Sequence, residues 1–475
     1  MGTVNNPSIV PGVDDPSTLN IAIIGGGITG INLALGLEHR LNQNPKLTNT
    51  SNGQKRLSYT IYERAPGFRE IGAGIGFSPN AERAMGLLSP DVLASFKRVA
   101  NPNGEDYFQW IDGKTDKLIF KLYCGKDGFQ GGRRSDILEE WAKLIPLERV
   151  QFGKTVETVS EEAEEEKITI HFTDGSVAHA DVVIGCDGIR SRIRQLVLSP
   201  SQESIIEAAH PHYTHKFCFR SLVPMDAAIA SIGEKRAMTR FMYNGPKAHI
   251  ITYPVGNSSM LNVLAVISDD KPWPEENKKL TAQGSKSEAT EAFKDWHETA
   301  RKIVDLFPED SEGRMEKWAV FDMAQFPADR YVSVDQGATG KVCVAGDAAH
   351  ATGPHLGAGG GLGVEDALVL SALLEDVALG LPTHAEDGKE TRKKSELVRA
   401  ALQVYNDVRY ERTQWVVKNT RYAVDLFQWQ DPVVGRDDAK FGGEITKTFH
   451  KVWEYDVEGM VQGALDGLGK KIGGR

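Results

Sequence analysis

The chain of 475 residues contains no apolar run that approaches the length of a membrane span, which needs roughly 20 consecutive apolar residues. Its first eighteen residues, rich in Pro, Asn, Ser and Asp, lack the basic start and the apolar run of a signal peptide. The final GKKIGGR is neither a prenylation box nor a peroxisomal address. These absences argue against a membrane partner and predict a cytoplasmic protein.

Cysteine and positive charge are both scarce. Four cysteines, Cys124, Cys186, Cys218 and Cys343, are scattered without Cys-x-x-Cys or Cys/His spacing, so we expect reduced thiols and no metal site. The 55 Lys and Arg residues are outnumbered by 65 Asp and Glu residues, which gives a formal charge of −10. Because nucleic-acid binding depends on clustered basic residues, these numbers argue against a DNA or RNA partner.

The length exceeds what one hydrophobic core normally serves, so two or three structural units are expected. Short apolar runs typical of strands occur at Asn20–Ile24, Tyr59–Tyr62, Val150–Phe152, Ile168–Phe172, Val182–Ile184 and Val342–Ala345. They bracket a middle region containing KFCFRSL, TRFMYN, HIITYPV and NVLAVIS, which predicts an antiparallel sheet. The C-terminal part carries long helical patterns and predicts a helical cover. The fold class is therefore α/β.

These patterns divide the chain into segments. We expect a flexible N-terminal segment (1–19), a nucleotide-binding domain in two parts (20–209 and 336–390), an inserted substrate domain (210–335) and a C-terminal helical region (391–475). The acidic SEEAEEEK at Ser160–Lys167 lies between two strand-like runs, which favours an exposed hairpin connection over an interaction tail.

The glycine-rich IAIIGGGITG follows the first apolar run and precedes a helical pattern. Gly25, Gly27 and Gly30 have the G-x-G-x-x-G spacing, which permits a tight turn, close approach to a pyrophosphate and close helix packing. Glu63 ends the next strand, placed to hydrogen-bond a ribose hydroxyl. It lies 33 residues after Gly30 instead of the usual ~20, and a polar insertion between the two strands explains the surplus.

Two further motifs lie downstream. CDGIRSRIR contains Asp187, Gly188, Ser191 and Arg194, and GKVCVAGDAAHATGPHLGAGGGLGVEDA contains Asp347 at the end of a strand. A carboxylate there points into the crevice at the carboxyl ends of a parallel sheet, where hydroxyl-rich ligands bind. The glycines from Gly357 to Gly363 let the backbone approach a flat ring and open a helix whose N-terminus favours negative charge.

The three motifs together resemble those of the flavoprotein aromatic hydroxylases, the group A monooxygenases that include 4-hydroxybenzoate, phenol and salicylate hydroxylases. The resemblance covers Asn20 to Leu374 and implies a Rossmann-like FAD-binding domain of the para-hydroxybenzoate hydroxylase type, with an inserted, mostly antiparallel substrate sheet. Arg134 resembles the arginine that contacts FAD in this family, with Arg133 as its rival. The implied FAD-binding residues are Gly25, Gly27, Gly30, Glu63, Arg134, Asp187, Gly188, Asp347 (on the ribityl chain), Pro354, Gly357, Gly359 and Gly360.

The resemblance also implies a reaction. NADPH or NADH binds transiently and reduces FAD, O2 reacts to give a C4a-hydroperoxide, and the distal oxygen is transferred to an electron-rich phenolic ring. The protein must then exclude water and hold the phenol as phenolate. The combination of PHYTHKFCFR with HIITYPV most resembles the fungal polyketide-tailoring branch, which includes dearomatising hydroxylases of resorcylic aldehydes.

The middle sheet supplies the catalytic candidates. Strand alternation places Lys216, Cys218 and Arg220 on one face. A strand arginine needs an anionic partner when buried, so Arg220 is expected to hold a phenolate or to modulate the flavin. Tyr253 shares a face with His249 and Ile251, where it is either a substrate contact or a plain core tyrosine. His355, next to Pro354, is expected beside the flavin or the substrate pocket. Weaker pocket candidates are Arg240 and Tyr243, and His350 is expected to be structural.

Several functions remain open at this point. A salicylate-type enzyme would lose CO2 from its substrate, whereas a flavin reductase or oxidase would transfer no oxygen. A scaffold protein would not bind FAD at all. The sequence leaves open whether the chain is a monomer or a homodimer, and the small phenolic substrate is not specified further.

Overall fold

The computed structural model describes residues 17–48, 55–68, 74–125, 128–161, 167–198, 207–274, 279–333, 340–381 and 393–473. Its strands are β1 (Leu19–Ile24), β2 (Leu57–Glu63), β3 (Gly74–Phe77), β4 (Asn101–Pro102), β5 (Tyr107–Asp112), β6 (Leu118–Tyr123), β7 (Gln130–Arg133), β8 (Val150–Phe152), β9 (Val156–Glu161), β10 (Ile168–Phe172), β11 (Val177–Ala180), β12 (Val182–Gly185), β13 (His212–Pro224), β14 (Phe241–Gly245), β15 (Ala248–Val255), β16 (Met260–Ser268), β17 (Thr281–Ser285), β18 (Arg314–Asp322) and β19 (Val342–Val344).

The helices of the described residues are α1 (Ile28–Gln43), α2 (Pro45–Thr48), α3 (Pro79–Leu88), α4 (Pro90–Val99), α5 (Arg134–Ala142), α6 (Arg192–Val197), α7 (Met225–Ile232), α8 (Glu234–Met238), α9 (Lys286–Ala292), α10 (Glu298–Asp305), α11 (Asp347–His350), α12 (Gly359–Gly380), α13 (Lys394–Phe427), α14 (Asp438–Trp453) and α15 (Val457–Lys471). Two short 3-10 turns lie at Leu147–Arg149 and Pro354–Leu356.

A parallel sheet organises the nucleotide-binding part. Among the described residues its strand order is β19-β12-β1-β2-β8. The central strands are buried along nearly their whole length, as expected for a parallel sheet with both faces covered. Ile24 lies opposite Gly185, and Gly185 lies opposite Val344. The carboxyl ends of β1, β12 and β19 therefore meet at one edge of the sheet.

A second sheet runs in the order β17-β18-β13-β16-β15-β14-β5-β6 within the described part of the chain. Its strands pair antiparallel except for β14 with β5. Strands β5 and β6 belong to a segment that the sequence assigned to the nucleotide-binding domain. The sheet is thus not confined to 210–335, because a hairpin from the first part of the chain extends its edge.

The two faces of this sheet have different environments. One face carries Phe219 and Tyr243 into a hydrophobic core with Trp296 and the short helices that follow the strands. The other face meets a separate aromatic cluster that joins Trp110 to Phe427 and other residues of the C-terminal helices. Side chains that alternate along a strand therefore enter chemically different compartments.

The C-terminal helices do more than cover the fold. Helix α13 packs along α12. The residue after α13 reaches the turn between β14 and β15 of the large sheet, where the backbone N–H of Lys247 donates to the carbonyl of Gln428 at 3.3 Å. The expectation of a simple cover is therefore wrong in one respect, because the end of α13 contributes side chains to a cavity described below.

The predicted α/β class is confirmed. Of the six apolar runs that bracket the middle region, five lie within strands, and the sixth, Val342–Ala345, extends one residue beyond β19. Strands β9 and β10, on either side of SEEAEEEK, pair antiparallel as a hairpin does, although residues 162–166 lie outside the described residues. Most of the N-terminal segment also lies outside the described residues. In the described ranges, no helix is both long and apolar enough to cross a membrane.

Candidate active site

The glycine turn after β1 has a geometry that only glycine allows. Gly25 has a φ of +104°, and a Cβ there would lie 2.5 Å from the carbonyl oxygen of Cys186. A Cβ on Gly30 would lie 2.0 Å from the carbonyl oxygen of Gly25. By contrast, a Cβ on Gly27 would have no heavy atom within 4 Å. The turn therefore packs tightly behind Gly25 and Gly30 and leaves open space in front of Gly27.

Glu63 ends β2 beside this turn. Its carboxylate accepts hydrogen bonds from the backbone N–H of Gly26 at 2.6 Å and of Ala65 at 2.8 Å. The glycine turn and the end of β2 are thus tied together by one side chain. This position at the carboxyl edge is the one from which an acid reaches a ribose hydroxyl.

The Asp-Gly motif follows β12, next to the glycine turn. One oxygen of Asp187 accepts from the Ser191 hydroxyl at 2.5 Å, and the other accepts from the backbone N–H groups of Arg192 and Ile193. Asp187 thereby caps helix α6, and burial raises its pKa. Gly188 has a φ of +79°, a conformation that favours glycine.

Arg194 is fully buried and joins this motif to the next one. Its guanidinium donates to the carbonyl of Ala208 at 2.7 Å and to those of Ala348 and Ala349 at 3.1 and 2.7 Å. Burial lowers the pKa of Arg194 to about 10. The arginine is a structural clamp between motifs, whereas Cys186 and Asp187 of the same segment pack directly against Gly25 of the glycine turn.

The Gly-Asp segment completes the same edge. Asp347 is exposed immediately after β19, whereas Gly346, with a φ of +62°, packs against Thr29 of the glycine turn. The backbone N–H of Gly346 donates to the carboxylate of buried Asp366 at 2.8 Å. An exposed carboxylate on a segment fixed from behind is suited to bind a hydroxyl-rich chain.

His350 lies behind the segment and not in the site. Its Nε2 is 2.6 Å from a carboxylate oxygen of Asp366, and both side chains are fully buried. The other oxygen of Asp366 accepts from the Nε of Arg409 at 2.7 Å. Although burial alone would raise it, the pKa of Asp366 is held below its usual range by His350 and Arg409. This agrees with the structural role expected for His350.

The backbone of the turn that follows Asp347 packs closely against neighbouring side chains. Pro354 opens a 3-10 turn that ends at Gly357, whose φ is +61°. A Cβ on Gly357 would lie 2.9 Å from the ring of Phe129, and one on Gly360 would lie 3.1 Å from Ile75. Gly359 begins α12, where a Cβ would lie 3.5 Å from Thr352 and 4.0 Å from Asp347, both ordinary contact distances. The backbone at Gly359 is therefore less crowded than at Gly357 or Gly360.

The two rival arginines differ in their surroundings. Arg133 ends β7, is about half exposed, and lies against the turn at Gly256, where a Cβ would be 3.2 Å from its Cδ. Arg134 begins helix α5 and is partly buried. The choice of Arg134 for FAD stays a prediction.

The residues present fit FAD. Three motifs from distant parts of the chain converge on the carboxyl edge of one parallel sheet. They combine an open approach at Gly27, an acid at the end of β2 and an exposed carboxylate at Asp347. A dinucleotide needs these features for its pyrophosphate, ribose and polyol parts.

The candidate catalytic residues lie on one face of the large sheet. Register pairs place Arg220 opposite Leu264, which lies opposite Ile251, and Asn262 opposite Tyr253. Arg220 is partly rather than fully buried, and its guanidinium stacks 3.3 Å above the ring centre of Trp318. The sequence expected a buried arginine at this position, and Arg220 is instead only partly buried.

Tyr253 occupies a polar position on that face. Burial raises the pKa of its phenol to about 12, and the positive charges of Arg240 and Arg220 act in the opposite direction. A Cβ on Gly74 would lie 2.9 Å from the Tyr253 hydroxyl and from the Oδ1 of Asn262. The hydroxyl therefore lies beside β3, which ends at Phe77 and borders the glycine-rich turn at Gly360.

Arg240 is the buried arginine of this face. Its guanidinium lies 3.5 Å from the ring centre of Phe129, 4.5 Å from that of Tyr253 and 5.1 Å from that of Phe108. Burial lowers the pKa of Arg240 to about 10. Such an aromatic cage is a typical environment for a desolvated guanidinium. The charge therefore stays fixed next to Tyr253.

His355 extends from the Pro354 turn toward the sheet. Its ring lies 5.3 Å from that of His249, edge to face, and both rings are buried. Burial lowers the pKa of His355 to about 3 and places that of His249 well below its ordinary value. Nδ1 of His355 and Nε2 of His249 have no hydrogen-bond partner among the described residues.

A cavity of about 170 Å³ opens beside His355. It is lined by Thr214 and Lys216 of β13, Asp322 of β18, and Arg421 and Asp425 of α13, among others. Of these lining residues, only His355 was a candidate from sequence. The end of α13 gave no sequence signal for this role, because a charged helical segment is ordinarily a solvated face.

Tyr243 is excluded from the pocket side. It lies on the opposite face from Tyr253, in the core beneath the sheet, where the Nη1 of Arg236 donates to its hydroxyl at 3.2 Å. From the sequence, Tyr243 was among the weaker candidates, because strand alternation shows which residues share a face but not which face borders the pocket. Arg240, the other weaker candidate, does lie on the pocket side.

A family model described as FAD binding domain matches residues 132–385. The FAD-dependent monooxygenase pigN of Monascus ruber is 44% identical over 472 residues, which cover 98% of this chain and 100% of the relative. The chain belongs to the FAD-dependent monooxygenases.

Two further comparisons support the aromatic-hydroxylase branch of these monooxygenases. The salicylate hydroxylase asL1 of Sarocladium schorii is 35% identical, with 98% of this chain and 94% of the relative covered. A solved salicylate hydroxylase substrate complex superposes with a TM-score of 0.75 at 27% identity, over 95% of this chain and 98% of the other. The predicted family, FAD cofactor and enzyme class are confirmed. The chain is an FAD-dependent aromatic hydroxylase, and NAD(P)H is the usual reductant of its family.

Proposed function

We propose that this monooxygenase hydroxylates a phenolic ring held against the face of the large sheet by Arg220 and Tyr253. The observation that carries the proposal is the placement of Arg220, Tyr253 and His355 around one face, beside the glycine-rich turn of the FAD site. The reaction consumes one O2 and one NAD(P)H with a proton. It yields one hydroxylated product, NAD(P)+ and water.

Arg220 and Tyr253 have complementary tasks. The partly buried Arg220 guanidinium, stacked on Trp318, would offer positive charge to a phenolate oxygen, which lowers the pKa of the bound phenol. Tyr253, whose pKa is about 12, stays protonated at neutral pH and donates a hydrogen bond to the same oxygen. The ring is thereby held in the electron-rich form that an electrophilic oxygen attacks.

When bound, FAD would accept a hydride from NAD(P)H and activate O2. Gly25, Gly27 and Gly30 would hold its pyrophosphate, with Glu63 at the ribose and Asp347 at the ribityl chain. Asp187, Gly188 and Arg134 complete the cofactor set, and the turn from Pro354 through Gly357, Gly359 and Gly360 would lie along the ring. Residues on the sheet side orient the substrate and exclude water.

Within this reaction class we favour a dearomatising hydroxylation of a fungal polyketide phenol. The oxygen enters at a substituted ring carbon, the phenol loses its hydroxyl proton and its C–O bond becomes a carbonyl. Support comes from the combination of PHYTHKFCFR with HIITYPV and from the similarity to fungal FAD-dependent monooxygenases. Salicylate-type hydroxylation would instead release CO2, and gas analysis separates the two. A cytoplasmic location and a monomeric or homodimeric state remain predictions.

The proposal is tested with the FAD-loaded enzyme and a panel of phenols. Phenol-stimulated NAD(P)H oxidation coupled to hydroxylated product is the expected result. Arg220→Ala should retain FAD but lower coupled turnover or divert NAD(P)H to peroxide. The matched control is Arg236→Ala on the opposite side of the sheet, where the guanidinium contacts Asp116 and Tyr243. Equal, coupled turnover in the two variants would remove Arg220 from the mechanism.

A further inference from the structure

Arg240 is a buried positive charge to which the described residues supply no carboxylate. It is 6% exposed, and no Asp or Glu of the described ranges forms an ion pair with it. Its guanidinium instead lies 3.5, 4.5 and 5.1 Å from the ring centres of Phe129, Tyr253 and Phe108. A buried guanidinium without a counter-ion keeps its full charge, and in a water-poor environment that charge acts strongly on its neighbours.

A second arginine makes the same kind of contact on the opposite face of the sheet. Arg236 lies over the rings of Phe241 and Tyr243, at 5.4 and 5.6 Å from their centres. Its Nη2, however, is 2.9 Å from a carboxylate oxygen of Asp116, so the charge of Arg236 is compensated. Of these two arginine–tyrosine pairs, the one on the pocket face therefore differs in carrying a charge that no carboxylate balances.

Packing fixes the position of Arg240 beside Tyr253. The backbone N–H of Arg240 donates to the Oδ1 of buried Asn103 at 3.0 Å, and a Cβ on Gly76 of β3 would lie 3.0 Å from the Nη2 of Arg240. A Cβ on Gly131 of β7 would lie 2.8 Å from the Tyr253 ring. The paired strands β3 and β7 thus lie directly against the arginine and the tyrosine. The distance between the charge and the Tyr253 ring is therefore set by the surrounding backbone.

The Tyr253 hydroxyl is available to a ligand. Its side chain is partly exposed, and within the described part of the chain the hydroxyl makes no hydrogen bond to the protein. The other ionisable groups that face Tyr253 and Arg240 are Arg220 of β13 and Cys124, which follows β6. Burial raises the pKa of the Cys124 thiol, so this thiol stays neutral near pH 7 and does not balance the charge of Arg240.

We propose that Arg240 is a positioning residue for the phenolate: its fixed charge polarises the Tyr253 hydroxyl and strengthens the hydrogen bond that this hydroxyl donates to the substrate oxygen. The inference rests on the proposed function, because it requires the phenol to bind beside Tyr253. A nearby cation makes a donor more acidic, and hydrogen bonds to an ionised acceptor are the strong ones. In this arrangement Arg220 offers its charge to the phenolate directly, whereas Arg240 acts through Tyr253.

The test measures the ionisation of a phenol bound to the oxidised, FAD-loaded enzyme, without turnover. The probe is 4-nitrophenol, whose anion absorbs visible light. In parallel, the pH dependence of the dissociation constant is measured for the phenol of the panel that most stimulates NAD(P)H oxidation. The wild type should lower the pKa of both phenols on binding. Arg240→Met should raise the pKa of the bound phenol by about one unit, which makes the anion fraction below that pKa about 10-fold smaller.

Further variants locate the effect. Arg240→Lys retains the charge and should restore most of the lowered pKa, whereas Arg236→Met removes the matched arginine over Tyr243 and should leave the pKa of the bound phenol unchanged. In a Tyr253→Phe background, the effect of Arg240→Met on the anion fraction should fall to less than about 3-fold, because the hydroxyl that transmits it is gone. Arg240→Gln provides the same comparison if Arg240→Met folds poorly. Circular dichroism and flavin content report folding.

The outcomes separate the two proposals. If Arg220→Ala raises the pKa of the bound phenol but Arg240→Met does not, the role of Arg240 is wrong and the proposed function stands. An equal effect of Arg240→Met with and without the Tyr253 hydroxyl also overturns the inference, and so does an Arg240→Lys variant that behaves like Arg240→Met. If no phenol binds or stimulates NAD(P)H oxidation, or if the wild type does not lower the pKa of the bound phenol, both proposals fail.

Discussion

The FAD site and the substrate face are built from different parts of the polypeptide. At the carboxyl edge of the parallel sheet, backbone does most of the shaping, and Gly25 and Gly30 leave no room for a Cβ. On the large sheet, side chains from several strands and helices converge, and we expect single positions such as Arg220 to define what can bind. We therefore expect FAD binding to be lost when a side chain is added to the backbone of the first site. We expect substrate binding to be lost when a side chain is removed from the second.

The largest effect on FAD binding is expected for Gly25→Ala. The added Cβ would lie 2.5 Å from a backbone oxygen at a φ of +104°, and overpacking alone costs about 1–3 kcal/mol. FAD should be lost and the melting temperature of the FAD-free protein should fall. Gly27→Ala is the control, since nothing lies within 4 Å of its Cβ. It should weaken FAD binding without lowering the stability of the FAD-free protein, and equal destabilisation by both changes would contradict the account.

The backbone site depends on a buried charge network behind it. Arg409 bonds Asp366 and Glu365 at 2.7 Å each, with all three side chains fully buried. Arg409→Met leaves the two buried carboxylates without the Arg409 guanidinium, which should lower the free energy of unfolding by about 3–5 kcal/mol. Chemical denaturation should show this fall in the free energy of unfolding. Lys418→Met, exposed on the same helix, should change it by less than about 0.5 kcal/mol, and a similar loss in both variants would rule out the network as its cause.

The two tyrosines test the two faces of the large sheet. Tyr253→Phe removes the hydroxyl beside Arg220 and should lower kcat/KM for the phenol by about 100-fold, the scale of a positioned proton donor. Tyr243→Phe removes a hydroxyl on the opposite face, next to Arg236, and should leave kcat/KM within about 2-fold while costing about 1 kcal/mol of stability. Steady-state kinetics with equal losses in both variants would show that the face assignment is wrong.

The smallest effect at neutral pH is expected for His355, whose contribution appears only as the pH falls. The pKa of His355 is about 3 in the folded protein, below its ordinary value of about 6.5. The unfolded chain therefore takes up the proton first as the pH falls, and the stability that His355 contributes above about pH 6.5 is lost toward pH 3. His355→Gln should reduce the pH slope of the unfolding free energy by about 1.4 kcal/mol per pH unit between about pH 6 and 4. An unchanged slope in denaturant titrations would mean that His355 is not buried as a neutral ring.

The same contrast explains how much the sequence could predict. Backbone requirements leave glycines at fixed spacing, so the turn at Gly25–Gly30, the segment around Asp347 and the strands that carry them were predictable. Alternation correctly grouped Lys216, Cys218 and Arg220, yet it could not say which face meets the cofactor, and Tyr243 was consequently grouped with pocket residues. Asp322, Arg421 and Asp425 come together through long-range packing of α13, which no local pattern encodes.

Isotope labelling tests the central claim most directly. The FAD-loaded enzyme is supplied with NAD(P)H, a phenol that stimulates its oxidation, and dioxygen labelled with oxygen-18. The account predicts one labelled oxygen in each product molecule and one NAD(P)H consumed per product. Complete conversion of NAD(P)H to peroxide, with no labelled oxygen in any organic product, would contradict it.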